Sequence, residues 1–408
     1  MDEPIVVGID VGTTKVCTLV ARVENGSNLR ILGVGIEPSH GIRKGTVIDV
    51  NAASQAISRA IEKAERTSGF EINSALVSLA GSHVSSVNSR GVVGISGRVI
   101  DNDDINRALD SAQAVAIPHN REIIHVIQRG FIIDGQDGIR QPVGMHGFRL
   151  EVEAHIITAS ASTVENLRQC VSATGIEVSQ FVLNPLAAGE IVLSETEREM
   201  GVAVVDLGGG TTDLAIYIGG DVWHTNVLTV GGNHVTTDIA HGLRLPIDVA
   251  EEVKVQHGHS YMKDIADDET FNVVSFGSEQ SQKVSRKELA NIIEAREEEI
   301  LMLVLQEIRR SGYDGMLPAG IVLTGGASLS PGMAEMVQST LHLPARVALP
   351  RRLHGLTETI SSPAYATAVG LLLHGMRRET VDRAIPVMEG NPSLLSRVIR
   401  LFRNILPK

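Results

Sequence analysis

Two short segments of this 408-residue chain carry the residue types needed to hold a phosphate. Residues 5–15 read IVVGIDVGTTK and residues 202–213 read VAVVDLGGGTTD. In each, an apolar, β-branched run ends in Asp, turns through Gly and Thr, and re-enters an apolar run. A strand that ends in a carboxylate and turns through glycine brings backbone N–H groups and hydroxyls up to an anion. Asp10 and Asp206 stand in equivalent places. Two such loops facing across a cleft would grip a nucleotide triphosphate from both sides, with Asp10 and Asp206 holding Mg2+ through water and serving as the candidate catalytic groups. The cradle would be Gly12, Thr13, Thr14 and Lys15 on one side and Gly208, Gly209, Gly210, Thr211 and Thr212 on the other. The second loop reads as one residue longer. A single Gly-rich turn is a weak signal, but two with matching Asp and Thr are not.

The elements that must position these loops repeat as well. After Asp10 come KVCTLVARV, an Asn25-Gly26 turn and LRILGVGIE; after Asp206 come DLAIYI, a Gly219-Gly220-Asp221 turn and VWHTNVLTV. Both copies read strand, phosphate turn, strand, hairpin, strand. The length calls for two or more domains. Hydrophobic residues make up 43% of the chain, which suits a globular protein. A net charge of −12 argues against nucleic acid as the main partner. Cys17 and Cys170 each lie in an apolar run, as in a reducing compartment without a disulfide framework. The opening MDEPIVVGID has no basic stretch, so no signal peptide is expected, and no apolar run reaches the ~18–20 residues of a membrane span.

Between the repeats, residues 51–67 show a helical stripe of Ala52, Ala56, Ile57, Ala60, Ile61 and Ala64. A buried strand is expected at 72–81. Residues 82–161 change texture, with short strands around a helix at 101–117, and sit where a compact inserted subdomain would. A helix follows at 162–174. Residues 233–309 read as mostly helical with an acidic, irregular centre, and Ser285-x-x-Glu288 is a capping box. Residues 321–341 read strand, Gly-rich turn, helix, with Gly325, Gly326 and Ala327 offering N–H groups to an anion or a purine edge. Small residues at 364, 366, 368 and 370 let backbones approach closely, as at a hinge, and also suit plain tight packing. Residues 376–392 read as a linker.

The tail is distinct. In 393–406, SLLSRVIRLFRNIL, a 100° turn per residue places Leu394, Leu395, Val398, Ile399, Leu401, Phe402, Ile405 and Leu406 on one half of a helix. Arg397, Arg400 and Arg403 cluster on the other. A basic amphipathic helix on a linker reads as a membrane-surface anchor rather than a helix docked on the core. One short anchor binds reversibly; many on one filament bind tightly.

The Asp10 loop, the Asp206 loop, the turn at 325 and two small-residue helices, at 183–192 and 363–371, resemble in order the motifs of the actin-like ATPase superfamily. Within it, residues 125–158, GIRKGTVID at 41–49 and the tail resemble the FtsA family of bacterial cell-division proteins. The resemblance implies an α/β actin-like ATPase fold, two duplicated domains around a nucleotide cleft, with an FtsA-type inserted subdomain and a C-terminal amphipathic helix. Its expected divisions are 1–83 with 161–198 and 359–375; the insert 84–160; 199–231 with 310–358; a helical subdomain 232–309; the linker 376–392; and the anchor 393–408. It implies binding of ATP and Mg2+. It also assigns Glu251 and Lys254, by spacing alone an i,i+3 surface pair, to adenosine.

The family further implies assembly into filaments at the cytoplasmic membrane and binding of the tail of the tubulin-like protein FtsZ to 232–307, where Arg286, Lys287 and Arg296 are candidate contacts. Other division proteins would be further partners. One departure bears on chemistry. Chaperone-type relatives begin the first small-residue helix with Glu, whereas this chain has Asn184 before Pro185. Asn cannot take a proton, so any hydrolysis is expected to be slow. The alternative is a sugar-type kinase on the same fold. That reading needs a catalytic Asp between the domains, which is not evident, and leaves the basic tail without a purpose.

Overall fold

The computed structural model describes residues 3–24, 28–114, 117–277, 280–351 and 353–384. The Asn25-Gly26 turn and the amphipathic segment 393–408 lie outside the described residues. The first sheet is opened by β1 (Ile5–Val11), β2 (Lys15–Glu24) and β3 (Asn28–Pro38), an antiparallel meander. A small ribbon, β4 (Ile42–Arg43) with β5 (Thr46–Val47), leads into α1 (Val50–Ser68) and β6 (Ser74–Leu79). The inserted block then runs β7 (Ser85–Val99), α2 (Asn102–Gln113), β8 (Arg121–Ile133), β9 (Gln136–Ile139) and β10 (His146–Ser160). It forms its own four-stranded sheet, in the order β7-β10-β8-β9. The chain returns through α3 (Ala161–Ser172), β11 (Glu177–Leu183), α4 (Asn184–Val192) and α5 (Glu195–Met200).

The second half repeats the first. Its sheet begins with β12 (Val202–Leu207), β13 (Thr212–Ile218) and β14 (Asp221–Leu228). The helical block is α6 (Gly232–Leu243), α7 (Ile247–His257), a ribbon of β15 (Thr270–Val273) with β16 (Gln282–Ser285), and α8 (Arg286–Ser311). Then come β17 (Ile321–Thr324), α9 (Met333–Leu341), β18 (Ala345–Val347), β19 (Leu353–Gly355) and α10 (Ala366–Ala384). The first sheet has the order β11-β6-β1-β2-β3-β19 and the second β14-β13-β12-β17-β18. Apart from β19, these are one pattern: a meander whose first strand pairs in parallel with a later strand, which pairs in parallel with a second.

Period-two alternation explains the layering. Val202 and Val204 on β12 face a core shared with Leu186, Ala188 and Val192 of α4. Ala203, Val205 and Leu207 face Ile300, Leu301 and Val304 of α8 and Met333 and Val337 of α9. Against the first sheet, α1 buries Ala53, Ala56, Ile57, Ala60, Ile61 and Ala64, with Ala53 rather than Ala52 on the stripe. It comes so near β3 that a Cβ at Gly33 or Gly35 would strike the carbonyls of Ala64 or Ala60. At the crossing of α4 and α10 a Cβ at Gly370 would strike the Ala187 carbonyl.

The structure corrects several expectations. α10 runs on through MRRETVDRA, taking up 376–384 of the expected linker, because charged residues without Pro or Gly do not end a helix. Ser285 is the N-cap residue of α8, but its side chain makes no capping bond. After Gly325 the chain makes a 3-10 turn, Gly326–Leu329, and α9 starts only at Met333.

Candidate functional site

Both phosphate-type loops are built alike. Gly12 N–H donates to Lys15 C=O at 3.0 Å, and Gly208 N–H donates to Thr211 C=O at 2.9 Å. The register is the same too: Val11 pairs with Val16 and Leu207 with Thr212. The loops therefore have equal length, contrary to the expectation of an extra residue in the second. Matching the Thr pairs by sequence had shifted the frame. In the true frame Thr212 corresponds to Val16, a strand residue. It is fully buried, donates its hydroxyl to Val230 C=O at 2.9 Å, and does not line the cleft.

The loops meet face to face. A Cβ at Gly209 would collide with the Thr14 hydroxyl, and one at Gly210 with Thr13. Glycine is required there because the opposite loop occupies the side-chain space. Between them opens a cavity of about 290 Å³, close to the ~300 Å³ lower end for small-molecule sites. Its lining includes the other expected residues: Asp10, Gly12, Thr13, Thr14 and Lys15; Asp206, Gly208, Gly209, Gly210 and Thr211; Glu251 and Lys254; and Gly325, Gly326 and Ala327.

Asp10 and Asp206 are buried at the ends of β1 and β12. Burial holds both carboxyls above their ordinary range, Asp206 to about 6, while the Lys15 ammonium pulls each down. Thr367 on α10 donates its hydroxyl to Asp206 at 2.8 Å, so a helix joined to the first sheet bonds the strand end of the second. Gly325 takes a left-handed φ of 84°, and a Cβ there would strike Asp206. Lys254 bonds Glu251 at 2.6 Å and the Thr236 hydroxyl at 2.7 Å, so the pair is a salt bridge and part of the cleft wall at once.

Sequence reasoning passed over Asp213 and Glu297 as site residues. Asp213 corresponds in register to Cys17 and lies beside Asp206; burial and that neighbouring charge raise its pKa well above the ordinary value. Its Oδ2 accepts from Thr211, while Oδ1 is buried without a partner. A carboxylate at the head of the apolar run DLAIYI was the only hint of Asp213, too weak by itself to assign it. Asn184 lines the same cleft, with Oδ1 also buried and unpartnered. Among the described residues no group of three His, Cys, Asp or Glu side chains is arranged to hold a metal directly. No helix among them is long and apolar enough to cross a membrane.

The candidate partner cations do not converge. Arg286 is bonded to Glu269 at 2.6 Å, Lys287 pairs with Asp267, and Arg296 pairs with Asp238 and Glu299. At 100° per residue Lys287 and Arg296 point to opposite sides of α8. The inserted sheet, by contrast, is tied to the second half. Ser86 donates to Thr225 C=O at 3.0 Å, and His155 bonds the Thr225 hydroxyl at 3.0 Å and Asn88 at 2.7 Å. Burial keeps this imidazole neutral, with its pKa lowered to about 3.

Comparison with known proteins agrees with this architecture. Residues 203–370 match the family model described as cell division protein FtsA, and residues 81–158 match that of the SHS2 domain inserted in FtsA. The cell division protein FtsA of Pseudomonas aeruginosa is 42% identical over 382 residues, covering 94% of this chain and 92% of its own. That of Escherichia coli K12 is 39% identical over 381 residues, covering 92% and 91%. Among solved structures, the PilM–PilN type IV pilus biogenesis complex aligns with a TM-score of 0.62 at 17% identity, over 91% of this chain and 98% of that one. MreB5 of Spiroplasma citri bound to AMPPNP aligns with a TM-score of 0.59 at 15% identity, over 94% and 100%. At such identities these structures speak for the fold, the actin-like one.

Proposed function

The chain belongs to the FtsA family of cell division proteins, and from that premise we propose that it is an actin-like division protein whose assembly is gated by Mg-ATP bound between its two loops. The observation that carries the nucleotide reading is the pair of identically closed glycine turns in contact across a cavity, each beside a buried strand-end carboxylate. The residues fit the ligand. Gly12, Gly208, Gly209 and Gly210 bring bare backbone to the cleft wall, and Asp213 and Asn184, each with a buried oxygen that has no partner, line the same cleft, where a hydrated cation and its waters would supply one. Asp10 and Asp206 would hold Mg2+ through water. When bound, the cation supplies charge neutralisation at the phosphates.

Lys15 brings a positive charge beside the two carboxylates, and Thr367 orients Asp206. Asn184 accepts or donates a hydrogen bond but takes no proton, so turnover is slow and the nucleotide serves as a clamp between halves. The relatives leave the small-molecule kinase reading without support.

Further parts of the proposal rest on the family and on sequence. The insert 84–160 serves self-association. Residues 393–406 hold the filament on the cytoplasmic face of the membrane at the division site. The helical block 232–309 receives the acidic tail of FtsZ by exchanging the internal carboxylate partners of Arg286, Lys287 or Arg296 for those of the tail. The nucleotide assignment is tested by calorimetric titration of Mg-ATP into the parent and Asp206→Ala. A loss of affinity of at least about tenfold is expected for a removed charged ligand group. Equal affinity would refute the assignment of the second loop.

A further inference from the structure

The carboxyl group of Glu297 has no part in the chemistry above. It lies within the buried stripe of α8, between Ile293 and Ile300, with 6% of the residue exposed. Its Oε2 is buried and has no hydrogen-bond partner. It lines both the main cavity and a small apolar recess formed with Leu207, Val235, Ile300 and Met333. An orphaned carboxyl oxygen in such a place costs folding free energy, and native structures keep few of them. The phosphate loops occupy one part of the cleft. The part around Glu297 is walled by α6, α7, α8 and the 326–331 turn, through Val235, Lys254, Ala327 and Ser330. With a triphosphate between the loops, this is the space left for the base.

We propose that Glu297 reads the base of the nucleotide, in its protonated form donating O–H to N1 of adenine and accepting a hydrogen bond from the 6-amino group. The inference rests on the cleft being a nucleotide site and adds the residue that selects the base. A neutral carboxyl offers one donor and one acceptor, the complement of the N1/N6 edge of adenine, and by placing its proton on the other oxygen it meets the O6/N1 edge of guanine as well. A carboxylate offers acceptors only. It opposes adenine N1 but accepts from both N1–H and N2–H of guanine.

Near neutral pH both forms are accessible, since burial pushes the Glu297 pKa up to about 7. The hydroxyls of Ser260 and Ser330 and the ammonium of Lys254 on α7 work against burial, while Glu294, one turn earlier on α8, works with it. Lys254 is itself paired with Glu251, and α6 presents Val235 to the same space. Rising pH therefore ionises Glu297 and weakens adenine relative to guanine.

The test is calorimetric titration of Mg-ATP and Mg-GTP into the full chain at pH 6, 7 and 8, with Glu297→Gln and Glu297→Leu alongside. Titrations of phosphate, metal and loop groups are common to both nucleotides and cancel in the affinity ratio. For the parent, the ATP/GTP ratio is expected to fall by about tenfold from pH 6 to pH 8, the worth of one hydrogen bond exchanged for an opposed lone pair. Glu297→Gln, which keeps a donor and an acceptor, should hold ATP within about twofold of the parent at pH 6 with a flat ratio. Glu297→Leu should show a flat ratio and bind ATP about tenfold more weakly than the parent at pH 6. A flat ratio in the parent overturns the proposal, even if a variant fails to fold, and leaves the cleft assignment standing. Absence of any triphosphate binding by the folded parent overturns both.

Discussion

Asp206 and Asp213 face one another across the second rung from the turn of the β12–β13 pairing, with Asp10 close enough to act on both. Each is held protonated to a pH above its ordinary range by burial. For Asp206 the folded value is about 6 against 3.8 for the free side chain. A raised carboxyl contributes stability that is fully present below the unfolded value and lost as pH rises through the folded one. The ligand-free protein should therefore lose stability between about pH 4 and pH 6, and Asp206→Asn should remove on the order of 3 kcal/mol of that loss. Urea denaturation across this range checks it; an unchanged slope in the variant would mean that Asp206 is already ionised in the fold. Asp10 and Asp206 were legible because each ends an apolar run before glycine. Asp213 and Glu297 were not, because within a strand or helix one acidic letter looks the same whether it points to solvent or into a cleft. Thr212 was misassigned for a related reason: matching letters is not matching register.

The α4–α10 crossing is the element on which both sheets lean. α10 packs against β1, β2 and β6, and α4 against β12 and β13. Gly370 lets the two helices meet backbone to backbone. Gly370→Ala gains helix propensity but overpacks the contact, so a net destabilisation of about 1–3 kcal/mol is expected, read as a lower melting temperature with secondary structure kept. A melting temperature at or above that of the parent would show that the crossing yields without strain. At this scale the sequence was informative. Both meanders follow from period and turn residues, the close backbone approach at 364–370 from side-chain size, and the helix at 183–192 from the family's order of motifs. Element ends were harder. The end of α10 depends on where a helix meets its first breaker, and Ser285 caps by position without a side-chain bond.

At the scale of the molecule, two half-bodies and a helical block line one cleft, an inserted sheet lies against the second half at Thr225, and the proposed anchor in 393–406 follows them in the chain. Lipid co-sedimentation should show binding of the full chain to anionic vesicles and loss of it for 1–392. Phe402→Glu should abolish binding at any salt because it sets a charge in the acyl boundary. Arg400→Ala should weaken it mostly at low salt, where screening is least. Retained binding by Phe402→Glu would move the attachment to the folded body. Duplication could be foreseen from repetition; the seam at Thr225 could not, since it joins residues far apart in sequence. That seam has a consequence for how the molecule communicates. The inserted sheet is spliced into the first half between β6 and α3, yet Ser86 and His155 bond the second half. Rotation of the halves must break those bonds or carry the insert along. Seam and cleft are then two readings of one equilibrium, and linkage is reciprocal: a ligand that shifts the cleft by a given free energy shifts the seam by the same amount. A partner that bound the insert more tightly in one arrangement of the seam would thus alter the affinity of the cleft for its ligand without touching that ligand.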